Sequence, residues 1–145
     1  MKPETGSSAM TRLLPGIVGA TAMAACAPVP PAQAGSPLVG SWGGQHVGLV
    51  IGPSGGTVDY DCAAGRIDGP LSVGRNGRFS GRGSHTPGTG GPERVGEVRP
   101  SYPAVYSGSV SGGWMTFRVD VPEPAIVIGP YRLRRGAEPI LMRCL

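Results

Sequence analysis

The most constraining feature of this sequence is a series of short runs in which apolar and polar residues alternate, each run ending at a turn signal. Alternation with a period of two residues is typical of a β-strand with one buried face. The clearest run covers residues 114–121, where one face carries Met115, Phe117, Val119 and Val121. No stretch shows the 3.6-residue period of an amphipathic helix. The sequence therefore predicts an all-β protein.

The spacing of the turns predicts how the strands connect. Asn76-Gly77 is typical of a type I′ turn and predicts a hairpin between the third and fourth strands, with Phe79 facing inward. Strands joined in sequence by tight turns pair as a meander, and a set of this size can remove its exposed edges by closing. We therefore expect a small antiparallel up-and-down barrel of about eight strands. The predicted strands are residues 46–51, 57–62, 66–73, 78–83, 105–110, 114–121, 125–133 and 139–144.

Composition and length limit the protein to one such domain. The 26 glycines and 16 prolines alone would suggest disorder, but 39% of the residues are hydrophobic and follow the strand pattern. Residues 40–145 are enough for one domain of ordinary small size. Within it, residues 84–103 are polar and lack alternation, which predicts a long loop of the kind that is usually functional or disordered.

The first 25 residues have the pattern of a signal peptide. Arg12 precedes an apolar stretch of small and aliphatic residues, which at about thirteen residues is too short to span a bilayer. Two cleavage sites compete. Met23-Ala24-Ala25-Cys26 resembles a lipobox, which implies lipid attachment to Cys26. Ala32-Gln33-Ala34 is an ordinary A-x-A site, and cleavage there would release a soluble secreted protein.

The cysteine count favours the first site. The chain has three cysteines, so an oxidising compartment would leave one thiol unpaired. Lipid on Cys26 removes that thiol and leaves Cys62 and Cys144 to form a disulfide, which would tie the second strand to the last. The Pro-rich residues 26–39 would then form a semi-rigid tether to a membrane of the cell envelope.

The charge pattern argues against nucleic-acid binding. The net charge is +4, but the arginines are scattered among aspartates and glutamates and are not grouped with aromatic residues. We expect no nucleic-acid partner.

Motifs that could support catalysis have simpler structural interpretations. Residues 52–56 fit G-x-S-x-G, but a strand follows where a nucleophile elbow needs a helix, so a hairpin turn is predicted. We expect His46 on a strand face and His85 in the solvated loop, neither with neighbours at metal-ligand spacing. Asp59 and Asp61 would share a strand face as solvated carboxylates. No nucleophile, base and orienting group occur together, so the sequence predicts neither an enzyme nor a bound metal or cofactor.

Two short motifs resemble known families. Gly40-Ser41-Trp42, just before the first strand, resembles the G-x-W of calycins, the lipocalin and avidin group. That resemblance implies a barrel-end plug in which Trp42 lies under an arginine from the end of the chain, here Arg143.

The second motif, residues 60–65, resembles the Y-x-C-x-x-G of small periplasmic lysozyme inhibitors, which are disulfide-tied β-barrels and often lipoproteins. Cys144 suits that pattern as the partner of Cys62. The family's other motif, S-G-x-x-Y, is incomplete, because Met115 stands in the place of the tyrosine.

The sequence thus predicts a lipid-anchored, non-enzymatic binding module of the cell envelope. Its expected contacts are the 84–103 loop and the barrel rim, with Trp42, Tyr102, Asp59 and Asp61 as candidate binding residues. One alternative is an inhibitor of lysozyme or another cell-wall hydrolase, in which these aspartates and Asp68 would face a basic cleft. Another is a carrier of a small apolar ligand, which requires an open apolar cavity.

Overall fold

The structure of the protein is a computed structural model that describes residues 35–91, 94–142 and 144. The predicted leader with Cys26, the 32–34 cleavage site and Arg143 lie outside these residues. Ten strands form in the described part: β1 Ser36–Pro37, β2 Gly40–Gly43, β3 Val47–Gly52, β4 Gly55–Tyr60, β5 Ala63–Asp68, β6 Ser72–Val73, β7 Arg78–Pro87, β8 Tyr102–Ser111, β9 Trp114–Val121 and β10 Ile126–Arg135.

Eight of these strands close into a barrel in the order β10-β2-β3-β4-β5-β7-β8-β9, with antiparallel pairing at each step. The predicted all-β, up-and-down barrel is confirmed. Closure is made by a short contact in which Arg134 and Arg135 of β10 pair with Gly43 and Trp42 of β2. No helix long and apolar enough to cross a bilayer occurs among the described residues.

Side chains fill the interior of the barrel. The predicted inward face of β9 is confirmed, since Met115, Phe117 and Val119 are fully buried. The largest buried side chains are Trp42, Tyr106 and Phe117, and the rings of the last two stack with their centroids 5.8 Å apart. Burial of this row of apolar side chains is the main stabilising contribution to the fold.

The turn predicted at Asn76-Gly77 is present, since the Gly74 N–H donates to the Arg78 carbonyl at 2.8 Å, but its geometry and the strand before it differ from the prediction. Gly69-Pro70 interrupts the predicted third strand, so β5 ends at Asp68 and pairs with β7, while β6 pairs with β1. Of the two turn residues only Gly77 has a positive φ, 75°, whereas a type I′ turn needs two. That geometry occurs instead at Gly112 and Gly113, with φ values of 56° and 81°, between β8 and β9.

Two other boundaries differ from the prediction. The polar loop is shorter than residues 84–103, because β7 and β8 continue pairing until His85 faces Tyr102, which leaves 88–101 as the connection. The described residues of the range 139–144 form no strand, and their β-pairing is a single parallel bridge between Ile140 and Gln45. In both places tertiary pairing, and not local composition, sets the boundary.

The two ends of the barrel are built differently. At the closed end, where the chain enters the domain at Gly35, the β1–β6 ribbon covers the barrel. Leu38 and Leu71 are buried there, and the Leu38 N–H donates to the Leu71 carbonyl at 2.9 Å. At the other end, which we call the mouth, β4, β7 and β9 finish and β5, β8 and β10 begin.

Residues 136–144, which we call the C-terminal strap, run from the end of β10 across the outer face of β2 and β3 towards the mouth. The Ile140 N–H donates to the Gly44 carbonyl, and the His46 N–H donates to the Ile140 carbonyl, both at 2.9 Å. Gly48 permits this approach, since a Cβ there would lie 2.8 Å from the Pro139 ring. The strap ends in the predicted disulfide between Cys144 and Cys62, which lies just beyond β4.

Candidate functional site

A pocket of about 310 Å³ opens at the mouth. Its wall comes from separate parts of the barrel: the β2–β3 turn, the β4–β5 turn, the end of β7 and the start of β10. The side chains that line it include His46, Tyr60, Asp61, His85, Ile128 and Tyr131.

Three rings form the inner surface of this pocket. The Tyr60 and His85 rings meet edge to face, with centroids 5.5 Å apart and planes at 70°. The Tyr131 ring lies on the other side of Tyr60, at 6.3 Å and 44°. Edge-to-face and tilted contacts of this kind are the preferred arrangements of aromatic pairs, so the three rings support one another.

Three buried polar atoms lack a partner at full hydrogen-bond geometry among the described residues. Two of them are in this pocket: the Tyr60 hydroxyl, which lies beside the Tyr106 hydroxyl, and His85 Nδ1; the third is Trp42 Nε1 in the core. Tyr60 is 9% exposed and His85 5% exposed. A buried polar group without a partner costs about 1–3 kcal/mol, and native proteins contain few of them. Two such atoms lie in one pocket, so the mouth has hydrogen-bonding capacity that the described residues leave unused.

Burial also fixes the protonation of both groups. It raises the pKa of the Tyr60 phenol well above its ordinary value; the charges of Tyr106 and Tyr131 and a hydrogen-bonding interaction with the Tyr106 hydroxyl add to the increase. Burial lowers the pKa of His85. Near neutral pH the pocket thus presents an O–H donor and an uncharged imidazole, which has one donor and one acceptor nitrogen.

A hydrogen-bonded pair of side chains stands at the rim of the pocket. His46 Nδ1 lies 2.5 Å from Asp61 Oδ2, and the Met142 N–H donates to Asp61 Oδ1 at 2.8 Å. The Met142 N–H, and then His46, lower the pKa of Asp61. The carboxylate is therefore ionised near neutral pH, and it fastens the C-terminal strap to the β4–β5 turn.

Both histidines differ from their predicted positions. His85 is buried on β7 and does not lie in a solvated loop; the signal that could have placed it is its even spacing from inward-facing Phe79. His46 is not on a strand face, because it occupies the turn before β3 with a φ of 69°. Sequence reasoning also missed Tyr131, because a bulge shifts the register of β10 between Ile128 and Tyr131.

The acidic residues proposed as a binding face do not lie together. Asp59 is exposed on β4, whereas Asp61 lies beyond the end of β4 and is held by the strap. Asp68 ends β5 at the closed end of the barrel, 3.6 Å from Arg66. Tyr102, the other predicted contact, is half-buried at the start of β8, next to His85 in the β-ladder.

Trp42 is only 1% exposed and belongs to the core, so its ring is not available at the rim. A guanidinium does lie over it, with Cζ 4.8 Å from the ring centroid, but it belongs to Arg135 at the end of β10. Arg143, the predicted partner, lies outside the described residues. The stacking of Arg135 contributes a cation–π interaction where β10 meets β2.

The described part of the chain gives little support to a metal site, a serine nucleophile or an internal ligand site. No group of three or more His, Cys, Asp or Glu residues there could hold a metal ion. Ser54 of the G-x-S-x-G motif lies in the β3–β4 hairpin turn, as predicted. The filled interior also gives no support to an internal carrier site, since the mouth pocket lies beyond Tyr106 and Phe117.

No protein family, curated protein or solved structure matches this chain.

Proposed function

We propose that the protein is an exported, lipid-anchored, non-enzymatic binding module of the cell envelope, and that it binds its partner at the mouth. The observation that carries the binding site is the pair of unpartnered polar atoms, the Tyr60 hydroxyl and His85 Nδ1, in one pocket. A partner that supplies hydrogen bonds to both would remove the cost of burying them.

The cysteines support the location. Cys62 and Cys144 are bonded to each other, and the chain has three cysteines in all, so Cys26 has no intramolecular partner. A structural disulfide is typical of an oxidising compartment outside the cytosol. Lipid attachment accounts for the remaining thiol.

The placement of the mouth supports its role as the binding surface. The described chain enters the barrel at the closed end, beside the β1–β6 ribbon, so the mouth lies at the end remote from Gly35. The 88–101 connection starts and finishes at the mouth, and its Val95 and Val98 are almost fully exposed. A partner would therefore meet the mouth and this loop together.

The location is tested by the intact mass of the protein extracted from membranes. We expect a chain that begins at Cys26, carries lipid on that residue, and is two protons lighter than its reduced form. A chain that begins at Gly35 would overturn the anchor.

The binding site is tested by photo-crosslinking in cells that make the protein. A photoreactive amino acid is placed at Ile126, beside the pocket, or at Val50, an exposed position on the outer face of β3. We expect a crosslinked partner from position 126 and none from position 50, and we expect Tyr60→Phe to abolish the crosslink.

The matched control is Tyr106→Phe. The Tyr106 hydroxyl donates to the Ser84 carbonyl at 2.5 Å, and burial raises the pKa of Tyr106 to about 12. Its loss should cost about 1 kcal/mol of folding free energy, whereas Tyr60→Phe should be neutral or stabilising, so the pair separates a loss of stability from a loss of binding. A crosslink that survives Tyr60→Phe, or that forms equally from position 50, would contradict the proposed site.

A further inference from the structure

We propose that the partner contributes an extended peptide segment, which pairs with a free edge of β10 and places one side chain in the mouth pocket. This inference rests on the proposed function, because it names the class of partner for the same site. It is carried by the backbone of β10, an observation separate from the unpartnered Tyr60 and His85 atoms.

The barrel is closed only along part of β10. On one side β10 pairs with β9 from Ile126 to Arg134. On the other side it pairs with β2 only at Arg134 and Arg135. β2 is too short to pair with β10 any further towards the mouth. Gly44 lies against the Arg132 carbonyl, and the chain then turns back into β3. Within the described part of the chain, residues 126–131 therefore have no backbone partner on that side.

The free edge is short. A register shift separates Ile128 from Tyr131, and Pro130 in between has no N–H to donate. Bulges and prolines are devices that end strand pairing and protect edges from aggregation. The regular part, Ile126–Ile128, is long enough for a few backbone hydrogen bonds with one added strand, and too short to template an extended sheet.

The same strand supplies the wall of the pocket. Ile128 and Tyr131 both line it. The apolar side chains of Ile126 and Val127 next to it are 42% and 55% exposed. A strand added beside β10 would lie about 4.8 Å away and would direct alternate side chains towards the pocket. Backbone hydrogen bonds would then give affinity and the pocket would give specificity, as in other cases of strand addition.

The backbone groups at the free edge of β10 indicate which class of partner would bind there. Only an extended peptide backbone offers N–H and C=O groups at the spacing of a β-ladder. The inserted side chain would need an apolar body to contact the three rings and a polar tip to reach Tyr60 or His85. The ionised Asp61 at the rim disfavours an acidic tip. We therefore expect neutral side chains with an aromatic or amide group at the pocket position.

The probe is a library of random 12-residue peptides displayed on phage and selected against the full membrane-extracted chain in detergent. Selected sequences are synthesised with a single backbone N-methyl group at each position in turn. Only every second N–H of an added strand points to β10. We expect N-methylation at alternating positions to weaken the Kd at least tenfold and to have less than a twofold effect at the positions between.

A matched pair of variants tests the place of binding. Val127 and Val50 are equally exposed, at 55%, but Val50 lies on β3, which is paired on both sides. Lysine on an edge strand opposes strand addition. We expect Val127→Lys to weaken peptide binding several-fold and Val50→Lys to leave it unchanged.

The outcomes separate this inference from the proposed function. Peptides that tolerate every N-methyl group but are lost on Tyr60→Phe would overturn strand addition and leave the mouth as the binding site. Peptides indifferent to Tyr60→Phe and to Val127→Lys would overturn both, and so would a library that yields no binder. Sedimentation that shows a dimer abolished by Val127→Lys would identify a second copy as the occupant and overturn the peptide partner.

Discussion

The two ends of the barrel differ in how their openings are covered. At the closed end, Leu38 and Leu71 fill the opening and the β1–β6 ribbon satisfies the backbone around them. At the mouth, Tyr60 and His85 bury polar atoms without partners, and the start of β10 keeps one edge unpaired. Backbone and apolar groups are satisfied at the first end, whereas polar atoms and a strand edge are left without partners at the second.

This difference shows where stability and recognition reside. The apolar side chains that fill the closed end need no binding partner. Unsatisfied polar groups and an unpaired strand edge, as at the mouth, are tolerated where another molecule supplies the missing hydrogen bonds. The mouth keeps its shape because the C-terminal strap and its disulfide fasten the β4–β5 turn from outside. The comparison between the ends makes three predictions about stability.

The largest expected effect comes from the disulfide at the mouth. The Cys62→Ala/Cys144→Ala double variant should lose about 4 kcal/mol of unfolding free energy, because the bond closes a loop with a sequence separation of 82 residues. Urea unfolding of the wild type and the variant would measure the loss. A loss below about 1 kcal/mol would mean that the hydrogen bonds of the strap hold the mouth without the disulfide.

A smaller effect is expected when one apolar side chain is truncated at each end. Leu38 is 2% exposed and fills the closed end, so Leu38→Ala should cost about 3 kcal/mol through lost burial and the cavity left behind. Ile126 at the mouth is 42% exposed, and Ile126→Ala should cost less than about 1 kcal/mol. Denaturant unfolding at one pH compares the two. Equal losses would remove the distinction between a structural end and a binding end.

The smallest effect is a pH dependence that arises from His85. Burial places the pKa of His85 in the folded state below its unfolded value of about 6.5. The unfolded chain therefore binds this proton more readily, so the free energy of unfolding should decline as the pH falls below about 6.5 and be unaffected above it. Asp61, whose pKa is lowered, contributes stability that is lost only in a separate range, below about pH 4.

His85→Asn isolates this contribution. Thermal unfolding between about pH 7.5 and 5 should show a smaller decline for the variant than for the wild type, because the variant has no imidazole to protonate at this position. Parallel curves for the two proteins would indicate that His85 is accommodated in its charged form and is not the neutral group assigned to the pocket.

Much of the barrel could be predicted from local patterns. The alternation on β9 gave the correct inward face, and the assignment of Cys26 to the lipobox left the correct pair of cysteines for the disulfide. The predicted third strand is interrupted and the Asn76-Gly77 turn is not type I′, because pairing with β1 competes for β6, a contact between segments about 35 residues apart. Local propensity does not contain that competition.

The candidate site was less accessible to prediction than the fold. Tyr60 and Asp61 stood out through their motif, but the burial of His85 required β7 to extend through a segment whose composition reads as a loop. Tyr131 reaches the pocket only because the bulge in β10 changes the register of the strand. Arg135 stacks on Trp42 for a similar reason, since the closing register sets which arginine of β10 meets that ring.

The sequence by itself determined the strand period and the inward apolar faces, because both depend on local alternation, and it predicted the pairing of Cys62 with Cys144 once Cys26 was assigned to lipid. Only the tertiary structure decided that the barrel has a closed end and an open one. That outcome depends on where β10 stops pairing with β2 and on which polar atoms are left without partners. Both features are set by the register between strands that are distant in the chain, and no local sequence pattern specifies that register.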